Sequence, residues 1–359
     1  MNTKTVEPLV KDVMPRPDAL QVELFVSGGA ELLIGLAALA TDYELATRAA
    51  SWVPDVPPDE LRGALGRLGS RSGELWLHLL GAALEAGRGS AAEFVAHAAR
   101  LDPRELRKHV VGLHVPAWRS IVGAETLERA AAGDTAAVRR LLGDDRYYGG
   151  EARRALETVL PLTPQQTKRR ILAVLRTWLA VFAAHERGVV AALEADADAR
   201  RALAGELDPP ALIASATGGF VYEREPEFRR IALVPHLGSR PWLFLCQHRE
   251  TRIICYPAGE GGAARRETSS RAVALGKALG DKQRVAILGR LTLGEASLGE
   301  LAEAAGLSKS TAHHHLVLLR DAGLVGLRGA ARAYRYFLRE DALASSRNLL
   351  AEVLTPRNR

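Results

Sequence analysis

Residues Leu298–Leu324 read LGELAEAAGLSKSTAHHHLVLLRDAGL, and this stretch decides the fold of the C-terminal part. Leu298, Leu301, Ala302 and Ala305 recur at i, i+3, i+4 and i+7, which predicts one apolar helical face. Gly306 stops that helix, because glycine takes a left-handed backbone at no steric cost. Ser308 stands where a second helix needs an N-cap. That helix, 308–320, buries Ala312, His315, Leu316 and Leu319 and turns Lys309, Ser310, His313 and His314 outward, and Gly323 closes it. A short helix, a glycine turn and a second helix with a polar face are the arrangement that lays its second helix in the DNA major groove.

Charge agrees. From Arg271 to Arg359 there are 14 basic and 8 acidic residues, while residues 1–270 hold 34 of each. The whole net charge of +6 therefore sits in the last quarter of the chain. Phosphate binding gains affinity by releasing counterions, which requires localised basic charge.

The neighbouring sequence completes a winged helix. Upstream, Leu275, Ala278 and Leu279 precede Gly280, and Asp281 caps a helix carrying Val285, Ile287, Leu288 and Leu291. Downstream, Leu324, Val325 and Leu327 begin a strand, and Tyr334, Tyr336 and Leu338 alternate with Arg335, Phe337 and Arg339. Arg328 and Arg332 fall near the tip of this hairpin, suited to phosphates. A last helix from about Asp341 carries Leu343, Leu349, Leu350 and Val353.

The runs ALGDKQRVAILGRL, LGELAEAAGLSKSTAHHHLVLLRDAGLV and RAYRYFL resemble the ArsR family of winged-helix repressors across about residues 271–354. The resemblance implies a homodimeric repressor that reads double-stranded DNA at a palindromic operator. It places Ser308, Lys309, Ser310, Thr311, His313 and His314 on the base side, and Arg284, Arg328 and Arg332 on phosphates. Metal-sensing members carry a cysteine pair where this chain has Gly299, Glu300, Leu301 and Ala302. Their last-helix ligands are replaced by Ser345, Ser346, Arg347 and Asn348. No metal site and no cofactor is expected. Three consecutive histidines cannot converge on one ion, since neighbours on a helix point about 100° apart. His315 is read as a core histidine.

With 359 residues the chain has room for two to three domains, at roughly 150 residues each. It divides into residues 1–257, a linker at 258–270 (AGEGGAARRET at its heart), and the winged helix at 271–359. The start, MNTKTVEPLVKD, lacks the apolar core of a signal peptide, and the longest apolar runs fall short of the ~20 residues that span a bilayer. A cytoplasmic protein without membrane contact is expected.

Residues 20–205 are rich in helix formers. Helices are expected at Glu31–Ala40, Pro58–Leu68, Glu74–Ala86, Ala91–Arg100, Pro103–Val111, Ala124–Ala132, Thr135–Leu142 and Glu151–Leu160, with another capped by Thr163 before Pro164. Ile231–Val234, Trp242–Cys246 and Ile253–Tyr256 predict a small antiparallel meander. The fold class is thus mainly α with a small β part. A tight turn at Glu250-Thr251 would put the chain's only cysteines, Cys246 and Cys255, face to face, within reach of a redox-sensitive disulfide, although buried packing is the simpler role.

No phosphate loop, GxSxG, HExxH or CxxC appears, so no catalytic residue is expected. The N-terminal region resembles the large extension of actinobacterial-type regulators. Its length leaves dimerisation or sensing of a small-molecule effector as its roles, with an enzyme or an interaction scaffold fused to the DNA reader as the alternative.

Overall fold

The runs Ile231–Val234 and Ile253–Tyr256 are apolar at every position rather than at every second one, the mark of strands covered on both faces. The computed structural model describes residues 20–39, 52–54, 56–68, 73–148, 150–259, 264–330 and 333–355. Strand β1 (Gln21–Leu24) leads into α1 (Gly28–Leu39). A helical array follows: α2 (Asp59–Leu68), α3 (Glu74–Leu77), α4 (Leu80–Ala86), α5 (Ala91–Arg100), α6 (Pro103–Val110) and α7 (Pro116–Val122). It continues through α8 (Ala124–Ala132), α9 (Thr135–Gly143), α10 (Gly150–Val159), α11 (Pro164–Phe182), α12 (Glu186–Leu203) and α13 (Pro209–Ala216). Four strands come next: β2 (Phe220–Tyr222), β3 (Arg230–His236), β4 (Phe244–His248) and β5 (Thr251–Pro257). The last part is α14 (Ala264–Leu279), α15 (Lys282–Leu291), α16 (Leu298–Ala305), α17 (Lys309–Asp321), β6 (Val325–Ala330), β7 (Ala333–Leu338) and α18 (Ala342–Leu354).

The expected antiparallel meander is corrected to a mixed sheet of order β1-β3-β5-β4. β1, β3 and β5 run parallel, and only β4 is antiparallel, as an edge strand hairpinned to β5. The helical array is the crossover from β1 to β3, which explains the two-sided burial of β3 and β5. Sequence alternation had nothing to act on there. The α3–α4 region, expected as one helix, breaks at His78-Leu79. Residues 264–270, expected within the linker, are the first turns of α14.

The hairpin also corrects the cysteine geometry. Its turn is Arg249-Glu250, with Arg249 at φ +52°, and His248 pairs with Thr251. Cys246 therefore faces Ile253, and Cys255 faces Phe244. The cysteines are diagonal neighbours, a relation of about 7–8 Å, beyond the ~4.4–6.8 Å that a disulfide spans. Both thiols are free, and burial pushes Cys246 up to about 12 and holds Cys255 well above the usual thiol range.

Buried polar groups hold the N-terminal region in register. Arg107 is fully buried and donates to the carbonyls of Leu160 and Leu162, so that α6 clamps the turn between α10 and α11. Thr163 and Gln166 form a capping box that starts α11. Trp178 of α11 donates to Leu32 O at 2.9 Å and packs on Trp52. Glu31 of α1 accepts from the Trp52 indole at 3.2 Å and from Leu237 N at 3.1 Å, which fixes the loop after β3.

The β4–β5 hairpin is anchored on Glu85 of α4. That carboxylate accepts from His248 Nε2 at 3.1 Å and Arg249 at 2.8 Å, and lies 3.3 Å from His109 Nε2. These partners hold it down to about 2. Gly81 makes the approach possible, since a Cβ there would stand 2.2 Å from His248 Nδ1. Among the described residues, no helix is long and apolar enough to cross a membrane.

Candidate nucleic-acid interface

Local sequence builds the helix-turn-helix. Asp281 accepts from Gln283 N and Arg284 N at 2.9 and 3.0 Å and starts α15. Ser297 and Glu300 form a capping box at the head of α16. Gly306, at φ +65°, ends α16, and Leu307 N donates back to Ala302 O at 2.8 Å. Ser308 Oγ accepts from Thr311 N at 3.2 Å and starts α17. Ala312, Leu316 and Leu319 bury one side of α17.

The predicted base-side residues divide. Ser308, Lys309, Ser310 and Thr311 form one exposed patch on the first turn of α17. Ser308 is also occupied as the cap, and its hydroxyl lies 2.9 Å from Ser310 Oγ and 2.8 Å from Thr311 Oγ1. His314 is half-buried, while His313 keeps an exposed edge beside it. The indole of Trp242 stands edge-on between them, with ring centroids 5.4 and 5.7 Å away. Crowding and loss of water push His313 down to about 4, helped by His314 and Arg320 nearby, so its imidazole is neutral at pH 7. His315 is half-buried and meets Arg284 Nη1 at 3.2 Å.

The predicted phosphate contacts divide as well. Arg284 spends its nitrogens inside the domain, on Ala278 O, Lys277 O and His315 Nδ1, and so ties α15 to the end of α14. Arg328 lies on the surface of β6, 3.1 Å from Glu295 and over the Phe337 ring. Arg335, on the facing strand, donates to Glu295 O at 2.7 Å. Arg332 lies outside the described residues.

Sequence reading missed how far the N-terminal region reaches into this domain. β2 joins β6 as a parallel strand, pairing Phe220 with Leu327 and Tyr222 with Gly329, so the wing sheet has the order β2-β6-β7. Arg320 of α17 donates to Thr217 O at 3.3 Å, and burial lowers its pKa. Arg252 of β5 donates to the Tyr334 hydroxyl of β7 at 2.7 Å. One signal pointed this way: Val317, four residues after His313, is apolar on the expected polar face, and it is buried.

A helix-turn-helix domain family matches residues 279–328. An uncharacterised HTH-type transcriptional regulator, YceK of Bacillus subtilis (strain 168), is 42% identical over 67 residues, 18% of this chain and 67% of YceK. Among solved structures, NolR from Sinorhizobium fredii is 28% identical, covering 27% of this chain and 96% of its own, with a TM-score of 0.21. Reduced HlyU from Vibrio cholerae is 34% identical over 26% of this chain and 97% of its own, at 0.20. The transcriptional repressor BigR from Xylella fastidiosa is 28% identical over 26% of this chain and all of its own, at 0.19.

Proposed function

We propose, from the premise that this chain belongs to the HTH-type transcriptional regulators, that it is an ArsR-type homodimeric repressor which reads a palindromic operator. The observation that carries the reading is the capped α16–Gly306–α17 unit, whose first turn offers Ser308 to Thr311 to a groove. Lys309, Ser310, His313 and His314 serve as base-side groups, and Arg328 and Arg332 as phosphate contacts. Arg284 acts as a brace for α15 rather than as a contact.

Dimerisation has a face to use. On α18, Leu343, Leu350 and Leu354 recur along one side and are exposed, Leu343 at 83%. Val273 of the adjoining α14 is exposed as well. A stripe of this kind on paired helices is suited to a second copy, and two-fold symmetry then sets two half-sites about one helical turn, ~10 base pairs, apart or a multiple of it.

The N-terminal region supplies the state that the DNA reader obeys, with a small-molecule effector as its input. Trp242 packs against His313 and His314 one turn beyond the exposed patch, and in this reading that contact disfavours the seating of α17 on DNA. Release of DNA is then the default and its control is intramolecular, through β2, Arg320 and Tyr334.

Selection of operators from random duplex DNA with the full chain tests the reading. The expected outcome is a palindromic consensus bound by a dimer. Lys309→Ala should reduce specific more than non-specific binding, by about 1–3 kcal/mol. Absence of any enriched sequence at physiological salt overturns the reading. Reporter transcription from the selected operator then separates repression from activation.

A further inference from the structure

A cleft of about 720 Å³ opens between α7, the β4 edge and the wing, within the range of small-molecule sites. Three rings face it: Trp118 and Tyr148, whose centroids are 4.4 Å apart, and His78, which stacks on Tyr148 at 4.4 Å. Leu245 and Cys246 of β4 form an apolar wall. His78 Nδ1 is engaged by Val110 O at 3.0 Å, and burial holds its imidazole down to about 4, so this ring is neutral.

The charged groups deep in the cleft are already matched. Arg252 and Glu225 are each 3% exposed and lie 3.4 Å apart. Arg252 also donates to the Tyr334 hydroxyl at 2.7 Å. An ionised ligand would lose its water there and find no spare counter-charge. Glu227, exposed at the cleft, repels anions further. Besides Arg252 Nε, which has its ion pair with Glu225 but no hydrogen bond, a buried acceptor remains to be met: Gln247 Oε1 accepts no hydrogen bond from the described residues. Aromatic faces, balanced charge and a buried acceptor together specify the chemistry of the occupant.

We propose that this cleft binds an uncharged aromatic molecule carrying one hydrogen-bond donor, and that its occupation is reported to the wing through the Arg252–Tyr334 contact. The ligand touches the N-terminal region and β7 at once. It therefore has different affinities for arrangements in which those two surfaces stand together or apart, and by reciprocity it changes the affinity for DNA. Only this second half rests on the reading of the chain as an operator-binding regulator.

The probe is N-phenyl-1-naphthylamine, an uncharged aromatic amine whose fluorescence rises in apolar surroundings. Its matched anion is 1-anilinonaphthalene-8-sulfonate, the same scaffold with a sulfonate. Titration of the full chain should saturate at one amine per protomer, and the sulfonate should bind at least tenfold more weakly. Ala117→Trp, on a half-exposed position of α7 that lines the cleft, should abolish amine binding with the melting temperature retained. Ser120→Trp, on the exposed side of the same helix, serves the same purpose should A117W fold poorly. Equal binding of both probes, or amine binding unaltered in either folded variant, overturns the site. With the selected operator, the amine should shift DNA affinity at least threefold in the natural chain and not in Tyr334→Phe. Amine binding with unchanged operator affinity overturns the coupling. Failure of the chain to bind any operator, with amine binding intact, overturns the DNA reading and leaves the site standing.

Discussion

The N-terminal region and the winged helix treat charge in opposite ways. The first turns it inward: Arg107 on two carbonyls, Glu31 under Trp52, Glu225 against Arg252, three histidines around Glu85. The second also turns Arg284 and Arg320 inward, but it keeps Lys309 and Arg328 at the surface, and Asp281, Ser297 and Ser308 at helix starts. Buried charge fixes a geometry, because any other arrangement leaves it unsolvated. Surface charge stabilises little and stays available for a polyanion. The same kind of substitution should therefore cost stability in one region and binding in the other.

Arg107 puts the largest load on that contrast. Arg107→Met would leave the carbonyls of Leu160 and Leu162 without their donor inside the α6–α11 packing. Bonds to a charged donor contribute about 1.5–3 kcal/mol each, so a loss of roughly 3–5 kcal/mol is expected, read from the urea midpoint. Arg107→Lys should recover only part of it, since an ammonium cannot reproduce the fork. Lys309→Ala on the winged helix should stay within ~0.5 kcal/mol of the natural chain. Comparable losses for both would erase the distinction between the two regions.

Glu31 sharpens it through pH. Burial pushes its carboxyl up to about 7, against the pull of the Leu237 and Trp52 donors. An unfolded glutamate loses its proton near 4.5. Between those values the folded state binds more protons than the unfolded one. The contribution of Glu31 to stability is therefore greatest below about pH 4.5, falls as pH rises towards 7, and levels above it. E31Q keeps an acceptor for both donors and removes the titration. At pH 8 it should be more stable than the natural chain by up to roughly 3 kcal/mol, and near pH 4.5 equal to it. A constant difference between the two across that window, measured by denaturant unfolding, would place the ionisation elsewhere.

The contrast also explains what could be read from sequence. Caps, glycine stops and periodic faces act within a few residues. Asp281, Gly306 and Ser308 therefore announced α15, the end of α16 and α17 in advance, and Thr163-Pro164 announced α11. Strand partnership is set by distant residues. β1 at Gln21–Leu24 pairs across some two hundred residues with β3, and β2 completes a sheet whose other strands lie a hundred residues later. Nothing local in QVEL or FVY declares either partner. His313 and His314, expected on the base side, show the same limit: their spacing on α17 was legible, but the indole beside them comes from a loop some seventy residues upstream.

That indole gives the smallest and most local test. Trp242 belongs to the region that buries its polar groups, yet it rests on the helix that should read DNA, so it is where the two regimes meet. It is half-buried in a loop ahead of β4, and it contributes to neither the β-sheet ladder nor the helical core. Trp242→Ala should therefore cost about 1 kcal/mol of stability or less, although burying an aromatic contributes more elsewhere. Its effect on DNA has the opposite sign. If the contact with His313 and His314 holds α17 away from the groove, removing it raises the fraction of chains that are competent, and the apparent affinity rises by the same factor. A contact of ~1–1.4 kcal/mol corresponds to a five- to tenfold gain. Operator titration at fixed salt reads it directly. The His313 imidazole, freed of its crowding, should regain part of its ordinary pKa, visible by NMR as a titration moved up from about 4. Weaker operator binding by W242A, with His313 still titrating near 4, would make the indole a support for the recognition helix and not its cover.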